Sequence, residues 1–81
     1  MALLAIDVGN TQTVFGLFDG DELRDHWRVT TERHRSGDEL GALFSSFLDL
    51  STVAGISLAS TVPQLHRSYE DFAKEYAKVE L

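Results

Sequence analysis

Residues 1–30 restrict this chain more than any other part. Strand-type runs follow one another there with only short turn signals between them. Leu3–Val8 is apolar on both faces until Asp7, the pattern of a central strand covered on both sides. Gly9-Asn10 breaks the run. Thr13–Phe18 forms the second run, with threonine and aromatic residues that suit a pleated surface. Asp19-Gly20 is a short-range hairpin signal. The third run, Glu22–Thr30, alternates, with Leu23, Trp27 and Val29 on one face and Arg24, His26, Arg28 and Thr30 on the other. A half-polar strand of this kind belongs at a sheet edge with one solvated face.

The pattern then changes period. Thr31–Arg35 is a polar connection, and Ser36 with Glu39 makes an S-x-x-E capping box. Leu40, Leu43, Phe44, Phe47 and Leu48 form a stripe at helical spacing, which predicts a helix stopping near Leu50-Ser51. Gly55–Ser60 reads as a fourth strand. Thr61 and Gln64 suggest a second capping box around Pro63, a residue tolerated in a first helical turn. The following helix carries Leu65, Tyr69, Phe72, Ala73 and Tyr76 on one side, and Val79–Leu81 looks like a strand just begun. The order β-β-β-α-β-α describes an α/β chain with a mixed sheet. A right-handed crossover returns the fourth strand parallel to the first. This is the opening order of the ribonuclease H-like fold used by sugar kinases, actin and Hsp70, and other α/β folds can start the same way.

At 81 residues the chain is one domain at most, and a chain of this size buries only about two-thirds of its unfolded surface. It has no cysteine, which excludes disulfides and thiolate metal sites and is compatible with a cytoplasmic location. His26, His34 and His66 show no metal-ligand spacing. The net charge of -6 repels nucleic acid and anionic membrane. It also repels a nucleotide polyphosphate unless a cation or local dipoles intervene. No apolar run approaches the ~20 residues of a membrane span. The opening Met-Ala-Leu-Leu-Ala-Ile-Asp has no basic leader, so a signal peptide is not expected.

The segment with chemical potential is Asp7-Val8-Gly9-Asn10-Thr11-Gln12-Thr13. A phosphate site needs backbone N–H groups aimed at one point, close chain approach, and hydroxyl or amide donors. Gly9 permits approach and positive φ, Asn10 tolerates the left-handed region, and Thr11 and Thr13 supply hydroxyls. Asp7 makes sense beside a phosphate if Mg²⁺ lies between them, reached through a water. The alternative is an ordinary hairpin turn with Asp7 bonded to turn amides. The segment is neither a P-loop nor a G-x-G-x-x-G loop.

The string Leu4-Ala5-Ile6-Asp7-Val8-Gly9-Asn10-Thr11, followed by Gly16-Leu17-Phe18, closely resembles the start of type III pantothenate kinases. These belong to the acetate kinase/sugar kinase/Hsp70/actin superfamily. His26-Trp27-Arg28-Val29-Thr30 resembles that family's third strand, and Arg35-Ser36-Gly37-Asp38-Glu39 its R-T-x-D-E helix start. Ile56-Ser57-Leu58-Ala59-Ser60-Thr61-Val62-Pro63 resembles its I-x-x-x-S-V-V-P turn. The resemblance implies transfer of the γ-phosphate of ATP to pantothenate, the first step of coenzyme A synthesis. It implies Mg-ATP and a monovalent cation (K⁺ or NH₄⁺) as cofactors, a homodimer, and a cytoplasmic enzyme.

Within the chain the resemblance implies that Asp7, Val8, Gly9, Asn10, Thr11, Gln12, Thr13 and Val14 form the ATP phosphate loop, with Asp7 on Mg²⁺. Gln12 stands where Asn is common, and Ser36-Gly37 where Thr-Ala is common. Residues 1–81 would be the N-terminal part of the first ribonuclease H-like domain. The remainder of that domain, the second domain, the G-x-D-R pantothenate motif with its catalytic aspartate, and the adenosine motif would lie outside them. The chain alone is therefore expected to be inactive, and self-association is expected from its uncovered surfaces. The rival reading is a non-catalytic regulatory or scaffolding relative of the same fold. Arg33-His34-Arg35 reads as a solvated basic loop, and Asp19, Asp21, Glu22 and Asp25 as a solvated hairpin.

Overall fold

The computed structural model describes residues 2–81. Strands β1 (Ala2–Val8), β2 (Gln12–Asp19) and β3 (Glu22–Thr30) are followed by helix α1 (Gly37–Ser45), strand β4 (Val53–Ser60) and helix α2 (His66–Phe72). The α/β order therefore agrees with the sequence pattern. The strands form one mixed sheet in the order β3-β2-β1-β4. β1 pairs antiparallel with β2 and parallel with β4, so β1 is central and β4 returns as expected.

Strand alternation sends Leu4, Ile6 and Val8 to one face, where they join Phe15 of β2, Leu40 and Phe44 of α1, and Tyr69 and Phe72 of α2 in the buried core. Phe44 is central: its ring lies 4.5 Å from Phe15 and 4.9 Å from Phe72, centroid to centroid. Such aromatic pairs add about 0.5–1.5 kcal/mol beyond their buried area. α1 begins at the expected capping box. Ser36 Oγ accepts from Glu39 N at 3.1 Å, and Glu39 Oε1 accepts from Ser36 N at 2.8 Å. Gly37 has a packing purpose, because a Cβ there would stand 2.7 Å from the Asp71 Cβ of α2. The absent side chain lets the two helices meet.

Six expectations are corrected. α1 ends at Ser45, not near Leu50-Ser51, which belongs to a separate 3₁₀ turn, Leu50–Thr52. β1 is not covered on both sides, because both helices pack on the Leu4 face. Leu23 does not share a face with Trp27 and Val29. The β2–β3 register shifts so that Leu17 faces Asp25 while Phe18 faces Leu23. The extra residue turns Leu23 to the open face, where it lies beside His26, Gly16 and Phe18 in a shallow concavity of about 520 Å³. The second capping box does not form: Thr61 donates its N–H and hydroxyl to Val8 O, at 3.0 and 3.3 Å. Ser60 Oγ instead accepts from Val62 N, ahead of a 3₁₀ turn at Pro63–Leu65.

The last helix is also interrupted. α2 passes into a π-helical segment, Ala73–Ala77, which adds a residue to the turn and shifts the stripe. Ala77 is buried at 5% exposure while Tyr76 stays 39% exposed, with its hydroxyl donating to Asp38 Oδ1 at 2.5 Å. Finally, Val79–Leu81 is not a strand. Lys78 takes a left-handed conformation (φ 60°), and Val79 N bonds back to Ala73 O at 3.0 Å, a helix-ending turn.

Burial pushes the Tyr69 hydroxyl up to about 12, opposed in part by the Thr13 hydroxyl and the charge of Arg35. A folded-state value above the unfolded one means stability that is intact below pH ~10 and lost as the pH rises toward 12. Tyr76 shifts in the same direction through its hydrogen bond to Asp38. Urea denaturation between pH 9 and 12 should therefore show a steep loss of stability in the parent chain and a shallower one in Tyr69→Phe. Equal slopes would contradict the assignment to Tyr69.

Candidate functional site

Because β1 and β4 are parallel and β3 runs antiparallel to β2, the C-terminal ends of β1, β3 and β4 meet at one edge of the domain. In open α/β sheets this is the end where ligands bind. The loop Gly9–Thr11 lies there, between β1 and β2.

The loop is short and closed. Gly9 N donates to Gln12 O at 2.9 Å, and a Cβ on Gly9 would lie 2.9 Å from the same oxygen. Gly9 is thus required by close approach. Neither it nor Asn10 adopts the positive φ that the sequence allowed. Thr31, just past β3, ties the loop down: its N–H donates to Thr11 O at 2.9 Å and its hydroxyl to Gly9 O at 2.8 Å. The Thr13 and Thr31 hydroxyls are 2.8 Å apart. Thr61, just past β4, holds Val8 O from the other side.

These bonds give the loop a polarity. The carbonyls of Val8, Gly9 and Thr11 are occupied by protein donors. Among the described residues, neither Asn10 N–H nor Thr11 N–H donates a hydrogen bond within the chain. Amides with no acceptor in the chain are available to an anion. The side chains continue the pattern. Arg33 Nη2 donates to Asn10 Oδ1 at 3.1 Å, and Arg28 Nη1 donates to Gln12 Oε1 at 2.8 Å.

The residues named from sequence separate into three positions. Gly9, Asn10, Thr11 and Gln12 form the mouth of the loop. Asp7 and Val14, paired across β1 and β2, lie on the open sheet face beside it. Val8 and Thr13 are buried on the core side, at 0% and 3% exposure, so the Thr13 hydroxyl supports the loop from beneath through Thr31. Asp7 is exposed, and among the described residues it makes no hydrogen bond or ion pair. Its carboxylate is free to accept from a metal-bound water. No group of three or more His, Asp or Glu residues assembles a metal site among the described residues. A cation here would therefore keep most of its coordination to water and phosphate, as Mg²⁺ commonly does.

Sequence reading missed Thr31 and Thr61 as loop anchors. Thr31 falls in a polar connection and Thr61 in an apparent cap, and only the sheet brings them to Gly9 and Val8. Each follows a strand end directly, which is the one local signal available.

Fold and loop together define a small α/β domain with a rigid, amide-presenting loop at the C-terminal ends of its strands. A family model described as type III pantothenate kinase matches residues 3–81, and the chain belongs to that family. It is 56% identical over 61 residues to the type III pantothenate kinase of Frankia alni, covering 75% of this chain and 24% of that protein. It is 42% identical over 79 residues to that of Brevibacillus brevis, covering 91% and 31%. For Myxococcus xanthus the identity is 43% over 82 residues, covering 95% and 32%. The chain thus spans about a quarter to a third of the length of these relatives. No helix among the described residues is long and apolar enough to cross a membrane.

Thr31→Val removes a hydroxyl with two loop contacts and keeps the shape. We expect about 1–3 kcal/mol of lost stability and faster amide exchange confined to Gly9–Thr13. Exchange unchanged at those amides would show that the loop is held by other means.

Proposed function

We propose that these residues carry the first ATP phosphate-binding loop of a pantothenate kinase of the ribonuclease H-like fold, which phosphorylates pantothenate for coenzyme A synthesis. The observation that carries the reading is the loop polarity: carbonyls held by Thr31 and Thr61, with the amides of Asn10 and Thr11 left unengaged. Those amides bind phosphate oxygens, and the Thr11 hydroxyl and Gln12 amide border the same mouth. Asp7 would hold the Mg²⁺ that accompanies ATP, through a water. When bound, Mg²⁺ neutralises charge on the phosphates and fixes their geometry.

Phosphoryl transfer is positioning and electrostatic stabilisation from several directions. One loop and one carboxylate supply a half-site. These 81 residues by themselves bind Mg·ATP weakly and do not turn it over, whereas the longer kinase adds the pantothenate and adenosine contacts and the monovalent-cation site.

The open sheet face and the outer edge of β4, whose residues Val53–Ser60 carry no charge, are surfaces that a longer chain or a second subunit covers. The 81-residue chain should accordingly self-associate, with sedimentation velocity showing dimers or larger species at high concentration. A clean monomer throughout would count against this.

The binding reading is tested by titrating Mg·ATP and following backbone amide shifts. Shifts should centre on Gly9–Thr13 in the parent chain and weaken in Asp7→Ala. A folded parent showing none at millimolar ATP would exclude phosphate binding by the isolated loop.

A further inference from the structure

We infer that Arg28 and Arg33 are phosphate-positioning residues, two guanidinium groups held at the loop mouth to grip the polyphosphate of a nucleoside triphosphate. This rests on the phosphate-loop reading and extends it to residues outside the loop.

The first observation is register. Ala59, Asp7, Val14 and Arg28 occupy one row across β4, β1, β2 and β3, and all lie on the open face. Adjacent strands are about 4.8 Å apart, so the Arg28 backbone stands roughly 10 Å from that of Asp7. Asp7, which attracts the cation of a metal–polyphosphate, and Arg28, which attracts its anion, flank the loop mouth from opposite sides. Arg33 closes a third side from the segment after β3.

The second observation is what the two arginines bind. Arg28 Nη1 donates to Gln12 Oε1 and Arg33 Nη2 to Asn10 Oδ1. Both acceptors are neutral amides, Asn10 in the loop and Gln12 at the first position of β2. Among the described residues, the arginine ion pairs are those of Arg24 with Asp19 and Glu22, and of Arg67 with Asp71. The chain has 13 acidic residues against 7 basic, so carboxylate partners are plentiful. An amide oxygen orients a guanidinium without neutralising it. Each guanidinium has five N–H donors, so most of its donors stay available for the bidentate phosphate contacts that suit arginine. The basic segment that reads in sequence as a solvated loop thus delivers one of its members, Arg33, to the site.

The experiment uses the 81-residue chain and two probes, Mg·ATP and inorganic tripolyphosphate, with affinity read from the Asn10 and Thr11 amide shifts. Arg28→Met and Arg33→Met should each weaken both ligands by about tenfold, the usual loss for an exposed charge-assisted contact. Arg28→Lys, which keeps charge but loses the fork, should fall between. Arg24→Met makes the same change in net charge away from the loop and should leave affinity within about twofold. Dispersed amide spectra establish that each variant is folded.

If both methionine variants bind as the parent does while Asp7→Ala weakens binding, the phosphate loop stands and the arginine assignment is overturned. If Arg24→Met loses as much as Arg28→Met, the effect is net charge and the assignment is again overturned. If the parent binds neither probe, the loop reading falls and the assignment with it.

Discussion

β1 is paired along its length on both sides, antiparallel to β2 and parallel to β4, and the rest of the structure depends on that double pairing. It fixes the parity of every β1 residue. Leu4, Ile6 and Val8 are committed to the helical side and Asp7 to the other. A slip of one residue would bury the carboxylate and expose the core. The β1–β4 register brings Thr61 beside Val8, and the β2–β3 register, built on β2, brings Thr31 beside Gly9. The loop is rigid because its neighbours are fixed by register, with little contribution from its own turn propensity.

The energetic consequence is an asymmetric molecule. One sheet face is closed by an aromatic stack running from Trp27 through Phe15 and Phe44 to Phe72. The other face presents Ala5, Gly16, Ser57 and Ala59 with Phe18 and Leu23 around them. Small residues let another element approach closely, and the larger ones supply apolar contact at the rim. The two edges differ as well. β3 carries Arg24, Asp25, His26 and Arg28 together with a register shift, devices that discourage strand addition, whereas β4 has no charge and invites it.

Much of this was legible in the sequence because it is local. Leu3–Val8 reads as a central strand, Ser36 with Glu39 reads as a helix start, and both are formed by residues within a few positions of each other. The failures have a common physical origin in distance along the chain. The bulge that turns Leu23 outward is set by cross-strand pairing with Phe18. Thr61 is drawn from its apparent cap by Val8 O, 53 residues away in sequence. The π-helical turn that buries Ala77 in place of Tyr76 accompanies the packing of that ring over Gly41, another contact invisible to periodicity. At the candidate site, residue type singles out the Asp7–Thr13 segment but leaves an ordinary hairpin turn open, and the sheet places Gly9–Thr11 at the strand ends. Thr13 illustrates the limit: residue type offers its hydroxyl to a ligand, but strand alternation buries it under the loop.

The charge distribution has a logic that net charge conceals. A chain at -6 repels a polyphosphate at long range, yet long-range repulsion is screened over about a Debye length of 8–10 Å. Within that distance the loop meets unengaged amides, two arginines bound to neutral acceptors, and two carboxylates, Asp7 and Glu32, the latter directly after Thr31. Most of the acidic residues lie elsewhere, on the β2–β3 hairpin and the outer faces of the helices. In the proposed reading it is local dipoles and a few oriented charges that decide binding. A free polyphosphate meets the Asp7 carboxylate as a repulsive group, and a magnesium-loaded one meets it as an attractive group. Under the proposed reading that difference would favour the metal complex over the bare nucleotide, through a residue whose side chain needs no contact with the phosphates.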